Sequence, residues 1–313
     1  MSQLSFLSIG MKKKLRGYEA LEEVSKVVPW KELCEEVQPY YPKGEGGRPV
    51  KPLELMLKIY CLQLWYNLSD PAMEDAIYDR NSFQQFLKID LLGNVSVPDE
   101  TTILKFRRLL EKHELGEKIF ARIRDYLLAK GVMLQGGTIA DATIIPAPSG
   151  SKKIRERNPE MSTTRKGNSY YYGMKAHIGV DAQSGLVHTV KSTTARTNDV
   201  DMLSELLHGK EKAVFGDKGY PKKAFKKVCE EKGIFYGILR KAERYYKLTA
   251  QDDRWNHRLS RVRSKVEHPF RIVKHLWHHR KTRYRGLAKN HNQFCMLFGL
   301  SNLYMVRGKL CPA

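Results

Sequence analysis

The stretch Gly136-Gly137-Thr138-Ile139-Ala140-Asp141-Ala142-Thr143-Ile144-Ile145-Pro146 decides the fold. It is short, rich in β-branched residues, and bounded by a glycine pair and a proline. That is how a strand reads. It also carries Asp141 inside an apolar run, where a carboxylate is costly unless it is paired or bound to a metal. Upstream, the pattern is helical from residue 18 to about 130. Downstream, short apolar runs alternate with helical ones.

The helical region is punctuated clearly. Leu21, Val24 and Val28 have helical spacing, and Pro29 ends their helix. Pro39 to Pro52 reads as a loop, with Gly44, Gly46 and Gly47. Leu53 to Trp65 is too long for a strand and apolar on most sides, which predicts a buried helix. Ser69-Asp70-Pro71 and Ser96-Val97-Pro98-Asp99-Glu100-Thr101-Thr102 are helix starts. In the helix after the second, Ile103, Phe106, Leu109 and Leu110 face inward and Lys105, Arg107, Arg108 and Lys112 outward. Leu115 to Leu128 is a further amphipathic helix. A helix-turn-helix that places one helix in a DNA groove and a plain helical bundle both fit this rhythm.

After Ile145 comes a loop, Ala147 to Asn168, with six basic residues: Lys152, Lys153, Arg155, Arg157, Arg165 and Lys166. Strands at Tyr172–Asp181 and Leu186–Ser192 flank the turn Asp181-Ala182-Gln183-Ser184-Gly185. Asp199–Leu207 reads as a helix, which Asp199 is expected to cap. Ala213-Val214-Phe215 is a short buried strand ending at Gly216-Asp217. A helix at Pro221–Lys232, a strand at Ile234–Leu239, and helices near His257–Trp277 and Leu287–Val306 complete the chain. The order β-β-β-α-β-α-β-α-α predicts an α/β mixed sheet with helices on its faces, preceded by an all-helical N-terminal domain. The expected domains are residues 1–130 and 131–313.

A chain of 313 residues, 42% hydrophobic and 28% charged, has the composition of a globular protein. Its formal net charge of +21 and sequence pI near 9.7 point to a polyanion, with nucleic acid the default. No apolar run approaches the ~18–20 residues that span a bilayer. Met1 to Gly10 precedes Lys12-Lys13-Lys14, the wrong order for a secretory signal. Five scattered cysteines without a CxxC indicate neither a zinc site nor a disulfide framework. A reduced, cytoplasmic protein is expected.

The charge is concentrated. Between Arg240 and Arg285, fifteen Lys or Arg stand against four acids. Within this segment, Arg263, Glu267, Arg271 and Lys274 fall on one face of a continuous helix. Pro269 argues for a kink or a fresh start beside Glu267. Asp141 on a strand, Asp217 at a strand end and Glu267 on a late helix can converge inside a cationic envelope. Two divalent ions ~3.5–4 Å apart, held by such carboxylates, activate a water or a sugar hydroxyl for in-line phosphoryl transfer. Oxygen ligands suit Mg²⁺ or Mn²⁺, and surrounding Lys and Arg hold the phosphate backbone. His177 can assist a proton transfer or simply be packed. Thr143 points the same way as Asp141. Trp277, Arg283, Tyr284 and Arg285 can stack on an unpaired base, and Trp277 equally suits a core. His278-His279 has no third ligand at metal spacing, and no GxxxxGK[ST] motif occurs.

Asp141, Asp217 and Glu267 resemble the DDE triad of RNase H-like transposases. The sequence is similar to the IS4/IS5-type insertion-sequence transposases, and more specifically to the IS5 group. Arg263, Glu267 and Lys274 match that group's late Tyr-Arg-Glu-Lys signature in spacing, with Ser260 at the tyrosine position. Val266-Glu267-His268-Pro269-Phe270 and Gly216-Asp217-Lys218-Gly219-Tyr220 are also typical. So are Gly47-Arg48-Pro49, Trp65-Tyr66-Asn67-Leu68-Ser69-Asp70-Pro71 and Val97–Thr102. The resemblance spans residues 40–305. It implies an RNase H-like catalytic domain without a large insertion, since Arg240 to Arg258 is too short for one. It implies Asp141, Asp217 and Glu267 as catalytic ligands of two Mg²⁺ ions, replaceable by Mn²⁺. Arg263 and Lys274 then contact transposon-end DNA, joined by Arg271, Lys265, Arg283 and Arg285. It further implies inverted-repeat binding, end cleavage, strand transfer to target DNA, a homodimer or larger assembly, and a prokaryotic, nucleoid-associated location. A DNA-binding protein of transposase descent that no longer cuts, and a metal-dependent nuclease without strand transfer, are the competing readings.

Overall fold

A computed structural model describes residues 16–44, 49–91, 96–148, 158–242 and 246–310. Gly47-Arg48 and the loop cations Lys152, Lys153, Arg155 and Arg157 lie outside these residues, as do Met1–Gly10 and Lys12–Lys14. Two compact units are present: residues 1–109 with 306–313, and residues 110–305.

In the first unit the helices are α1 (Arg16–Val27), α2 (Trp30–Val37), α3 (Leu53–Tyr66), α4 (Asp70–Asp79), α5 (Asn81–Leu87) and the start of α6 (Glu100–Lys112). The run from Leu53 forms the expected buried helix, and every residue from Leu55 to Trp65 is buried. Its end is set by Asn67, which adopts the left-handed conformation at φ 51. The Ser69 hydroxyl accepts from the Ala72 N–H and caps α4. The Asp99 carboxylate accepts from the Thr102 N–H at 2.7 Å at the head of α6. Arg107 departs from expectation. It is not an outward cation but is largely buried against Asp70, at 2.9 Å. Burial of a guanidinium is tolerable here because its partner carboxylate is on hand.

The second unit takes in α7 (Leu115–Ala129). The N–H of Gly116 donates to Asn292 Oδ1 at 2.7 Å, fastening α7 to α11 (Leu287–Leu310). The sheet has six strands: β1 (Thr138–Pro146), β2 (Ser162–Lys166), β3 (Ser169–Asp181), β4 (Val187–Thr194), β5 (Ala213–Gly216) and β6 (Phe235–Ile238). β1 is central. It pairs antiparallel with β3 along nine positions, Thr138 to Pro146, and parallel with β5. β5 continues parallel into β6, with α8 (Lys223–Glu231) as the crossover. The outer edge of β3 is shared by β2 and β4. The sheet is thus mixed and helix-flanked, as the element order predicts.

Two further expectations need correction. The end of the 147–168 loop is ordered, because Ser162–Lys166 pairs with Ser169–Gly173 as the tight hairpin β2–β3. Alternating Thr and basic residues on an exposed edge hid that strand. Asp199–Leu206 is a 3₁₀ helix, and Asp199 does not cap it; its carboxylate instead pairs with Lys175 at 2.9 Å. The helix near His257–Trp277 breaks beside Glu267, as Pro269 argued: α9 (Ala250–Arg263) gives way to a 3₁₀ turn at Ser264–Val266, then α10 (Glu267–Arg271) runs into a π-helical turn at Ile272–Leu276. The junction from β6 to α9 spans only residues 239–249, too few for an insertion domain.

Candidate active site

Strand alternation puts Ile139, Asp141, Thr143 and Ile145 on one face of β1 and Ala140 on the other. The Ala140 face is filled by Leu203, Leu206, Val214, Tyr220 and Ile238. On the Asp141 face, the side chain is 17% exposed and meets the Arg263 Nη2 at 3.3 Å. Its Oδ1 accepts from the Ala142 N–H at 2.8 Å. Parallel pairing of β5 beside β1 brings Asp217, just past the end of β5, to the same region. The turn that follows fixes it: the Gly219 N–H donates to Asp217 Oδ1 at 2.7 Å. A Cβ at Gly219 would lie 3.0 Å from that oxygen, so a side chain there would crowd the carboxylate.

Glu267 is placed by the break in the late helix. Pro269 lies in the first turn of α10, where its missing N–H would have no intrahelical partner anyway. Thus the proline starts a helix at Glu267. Val266 and Phe270, four apart, are buried, and Phe270 packs edge-on against Phe298 with centroids 6.0 Å apart. That anchoring leaves Glu267 exposed on the opposite side. The π turn then carries Lys274 back to β1, where its ammonium donates to Thr143 Oγ1 at 2.5 Å and to the Ile144 carbonyl at 2.8 Å.

These groups share one open cleft of about 790 Å³, lined by Asp141, Thr143, Asp217, Glu267, Arg263 and Lys274. Arg271 and Lys166 also line it. Three carboxylates and four cations, brought from residues 141 to 274, therefore face one space. The electrostatics show the strain. Burial, with lesser contributions from Asp217 and Glu267, lifts the Asp141 carboxyl to about 6, while Ala142 and Arg263 pull it down. Burial and the Lys166 charge lower Lys274 to about 8, against the pull of Glu267. A hard divalent cation fits this all-oxygen set, since it would offset the carboxylate repulsion that Arg263 alone does not. Among the described residues, the one trio of ligand atoms within 4.8 Å of one another lies elsewhere.

Other expected site residues lie away from the cleft. The Lys265 ammonium donates to the carbonyls of Ala182 and Gln183, at 2.7 and 3.1 Å, and pins the β3–β4 turn. Arg283 and Arg285 are exposed in the segment before α11 and do not line the cleft. Trp277 is 4% exposed and packs edge-on with Tyr304, so it is a core residue. His177 pairs across from Ala142, which sets it on the face opposite Asp141. There its Nε2 meets Thr193 Oγ1 at 2.7 Å, and burial lowers it to about 4, keeping it neutral. Lys166, His268 and His275 line the cleft without having been singled out. Lys166 had a signal, a cation closing a basic segment, but its hairpin strand was not legible.

Residues 133–303 match the family described as Transposase DDE domain, and residues 11–109 match Transposase domain (DUF772). A solved structure, the cryo-EM piggyBac transposase synaptic complex with hairpin DNA, is similar at 12% identity and a TM-score of 0.48. That similarity covers 94% of this chain and 74% of that one. No helix among the described residues is long and apolar enough to cross a membrane. With the first match spanning more than half of the sequence and taking in all three cleft acids, the chain belongs to the transposase DDE-domain family and is a DNA phosphoryl-transfer enzyme of the IS4/IS5 type.

Proposed function

We propose that this transposase belongs to the IS5 group, binds the terminal inverted repeats of its own insertion sequence, cuts their ends, and joins the freed 3′-OH to target DNA. The observation that carries this reading is the shared cleft: three acids from a strand, a strand end and a helix start face four Lys and Arg. Asp141, Asp217 and Glu267 are the residues that would hold two Mg²⁺, or Mn²⁺, ions. When bound, such ions lower the pKa of an attacking water or hydroxyl and stabilise the leaving oxygen.

The chain's own residues do the rest. Arg263 keeps Asp141 ionised and oriented through Nη2. Lys274, braced by Thr143 and Ile144, presents its charge to the phosphate beside the scissile one. Arg271, exposed on the rim, and Lys166 from the β2–β3 hairpin extend the phosphate track on either side. Lys265 is a positioning residue for the β3–β4 turn and not a DNA contact. Arg283 and Arg285 remain proposed contacts to DNA beyond the cleft. Two ends must be joined to one target, so the working form is a homodimer or a larger assembly on DNA.

The test is purified protein incubated with end-containing DNA, Mg²⁺ and a supercoiled target, scored separately for cleavage and for joined product. Wild type is expected to give both, and Asp217→Asn to bind ends without cutting them. Cleavage without joined product under any target condition would favour the nuclease reading. Cutting undiminished in Asp217→Asn would refute the site.

A further inference from the structure

Away from the cleft, α7, α11 and β4 bring a second set of ligand-type side chains together. Glu117 comes from α7, and His291 and Cys295 come from successive turns of α11. Their ligand atoms all lie within 4.8 Å of one another. We propose that Glu117, His291 and Cys295 form a site for a borderline divalent transition metal, zinc by preference, which staples α7 to α11.

The geometry is built and not casual. Gly116, next to Glu117, meets Asn292, next to His291, so closely that a Cβ at Gly116 would sit 2.3 Å from the Asn292 carbonyl oxygen. The bond from the Gly116 N–H to Asn292 Oδ1 locks the same crossing. Glu117 and His291 are thereby held face to face, with Oε1 2.6 Å from Nε2. Cys295 Sγ approaches the same nitrogen at 3.5 Å. On the far side of the ring, Ser192 Oγ lies 2.9 Å from Nδ1. On metal loading, Nδ1–H would donate to the Ser192 hydroxyl, the support that a metal-bound histidine commonly has, and the Nε2 lone pair would face the other two ligands. Before loading, a proton shared by His291 Nε2 and Glu117 Oε1 occupies the place that a cation would take.

Imidazole nitrogen, thiolate sulfur and one carboxylate oxygen suit Zn²⁺, whereas the oxygen-only cleft suits Mg²⁺. The two sites share no residue. Glu117 is half exposed and gives the metal an entry path and room for a water as fourth ligand. Cys295 is 2% exposed. On loading, the Cys295 Sγ–H bond breaks and its proton leaves to solvent as the Sγ–metal bond forms, with no change of oxidation state.

The test uses the full chain, stripped with chelator, with Mg²⁺ in excess to occupy the carboxylate cleft, and titrated with Co²⁺. A thiolate-to-cobalt charge-transfer band is expected, saturating at about one equivalent and displaced by Zn²⁺. Cys295→Ala should abolish the band. Glu117→Gln, a surface change that leaves packing alone, should weaken Co²⁺ binding about tenfold or more, and Ser192→Ala about tenfold. Asp217→Asn should leave the band intact, which separates this site from the cleft. No band in the wild type, or a band unaltered in strength and affinity in Glu117→Gln, would overturn the proposal.

Discussion

At the ammonium of Lys274, burial and the nearby Lys166 charge oppose protonation, and its pKa falls to about 8. The sign of the consequence follows directly. Between about 8 and the unfolded value, the unfolded chain holds a proton that the native one has released, so this group makes stability rise with pH there. For DNA the effect is opposite, because a phosphate contact needs the charged form. End binding is therefore predicted to lose about one phosphate's worth of salt dependence between pH 7 and pH 9, read from the slope of log affinity against log salt. Lys274→Met should show the shallower slope at both pH values. Lys274→Arg, which cannot lose its charge, should keep the steeper one at both. A second residue-level prediction concerns Gly219, whose absent side chain leaves room for Asp217 Oδ1. Gly219→Ala is predicted to lower turnover about tenfold to a hundredfold through misplacement of the carboxylate, with the thermal midpoint hardly changed. Equal loss of stability and activity would contradict it.

Among the elements, the segment from α9 to the π turn organises the cleft, and its first turn is where it is held. Thr249 and Asp252 form a reciprocal capping box at the head of α9. Asp252 also takes Arg240 at 2.5 Å and the Tyr246 hydroxyl at 2.6 Å, and these partners hold its carboxyl well below the usual range. Thr249→Ala is predicted to cost about 1 kcal/mol in a denaturant titration. Because the same helix delivers Arg263, and Glu267 just beyond it, the variant should also bind divalent metal more weakly. Unchanged metal affinity with a lost cap would uncouple the two. This segment also shows what the sequence could carry. Arg263, Glu267, Arg271 and Lys274 were expected on one helical face, with a kink or fresh start at Pro269. They do line one cleft, but through a 3₁₀ turn, a proline-started helix and a π turn. Spacing alone gave the grouping; only the buried contacts of Val266 and Phe270 reveal how the breaks preserve it. Lys265 had equal standing as a cation in the sequence, yet its direction depends on a turn 82 residues away. The β2 strand was hidden for a related reason, since an exposed edge hairpin buries too little to leave an apolar period. Asp141 was legible because a carboxylate in an apolar strand violates a local rule, and such violations collect at functional sites.

For the whole molecule, the decisive quantity is charge placed against charge. The chain carries a formal +21, and its proposed catalytic cleft sets three acids among four cations. A polyanionic substrate is drawn by the surface and by those cations, while the acids oppose a phosphate placed against them. On the proposed reading, divalent metal offsets that opposition as well as serving the chemistry. The account predicts that ends bind without metal, through the basic surface, but that cutting is absent. The most direct measurement exchanges one proposed oxygen ligand for sulfur. Asp217→Cys should fold, bind end DNA, and fail to cut in Mg²⁺, then recover cutting in Mn²⁺, which accepts a thiolate more readily than Mg²⁺ does. Undiminished cutting by Asp217→Cys in Mg²⁺, or no recovery in Mn²⁺ from a folded, DNA-bound variant, would contradict the claim that this carboxylate holds a catalytic ion.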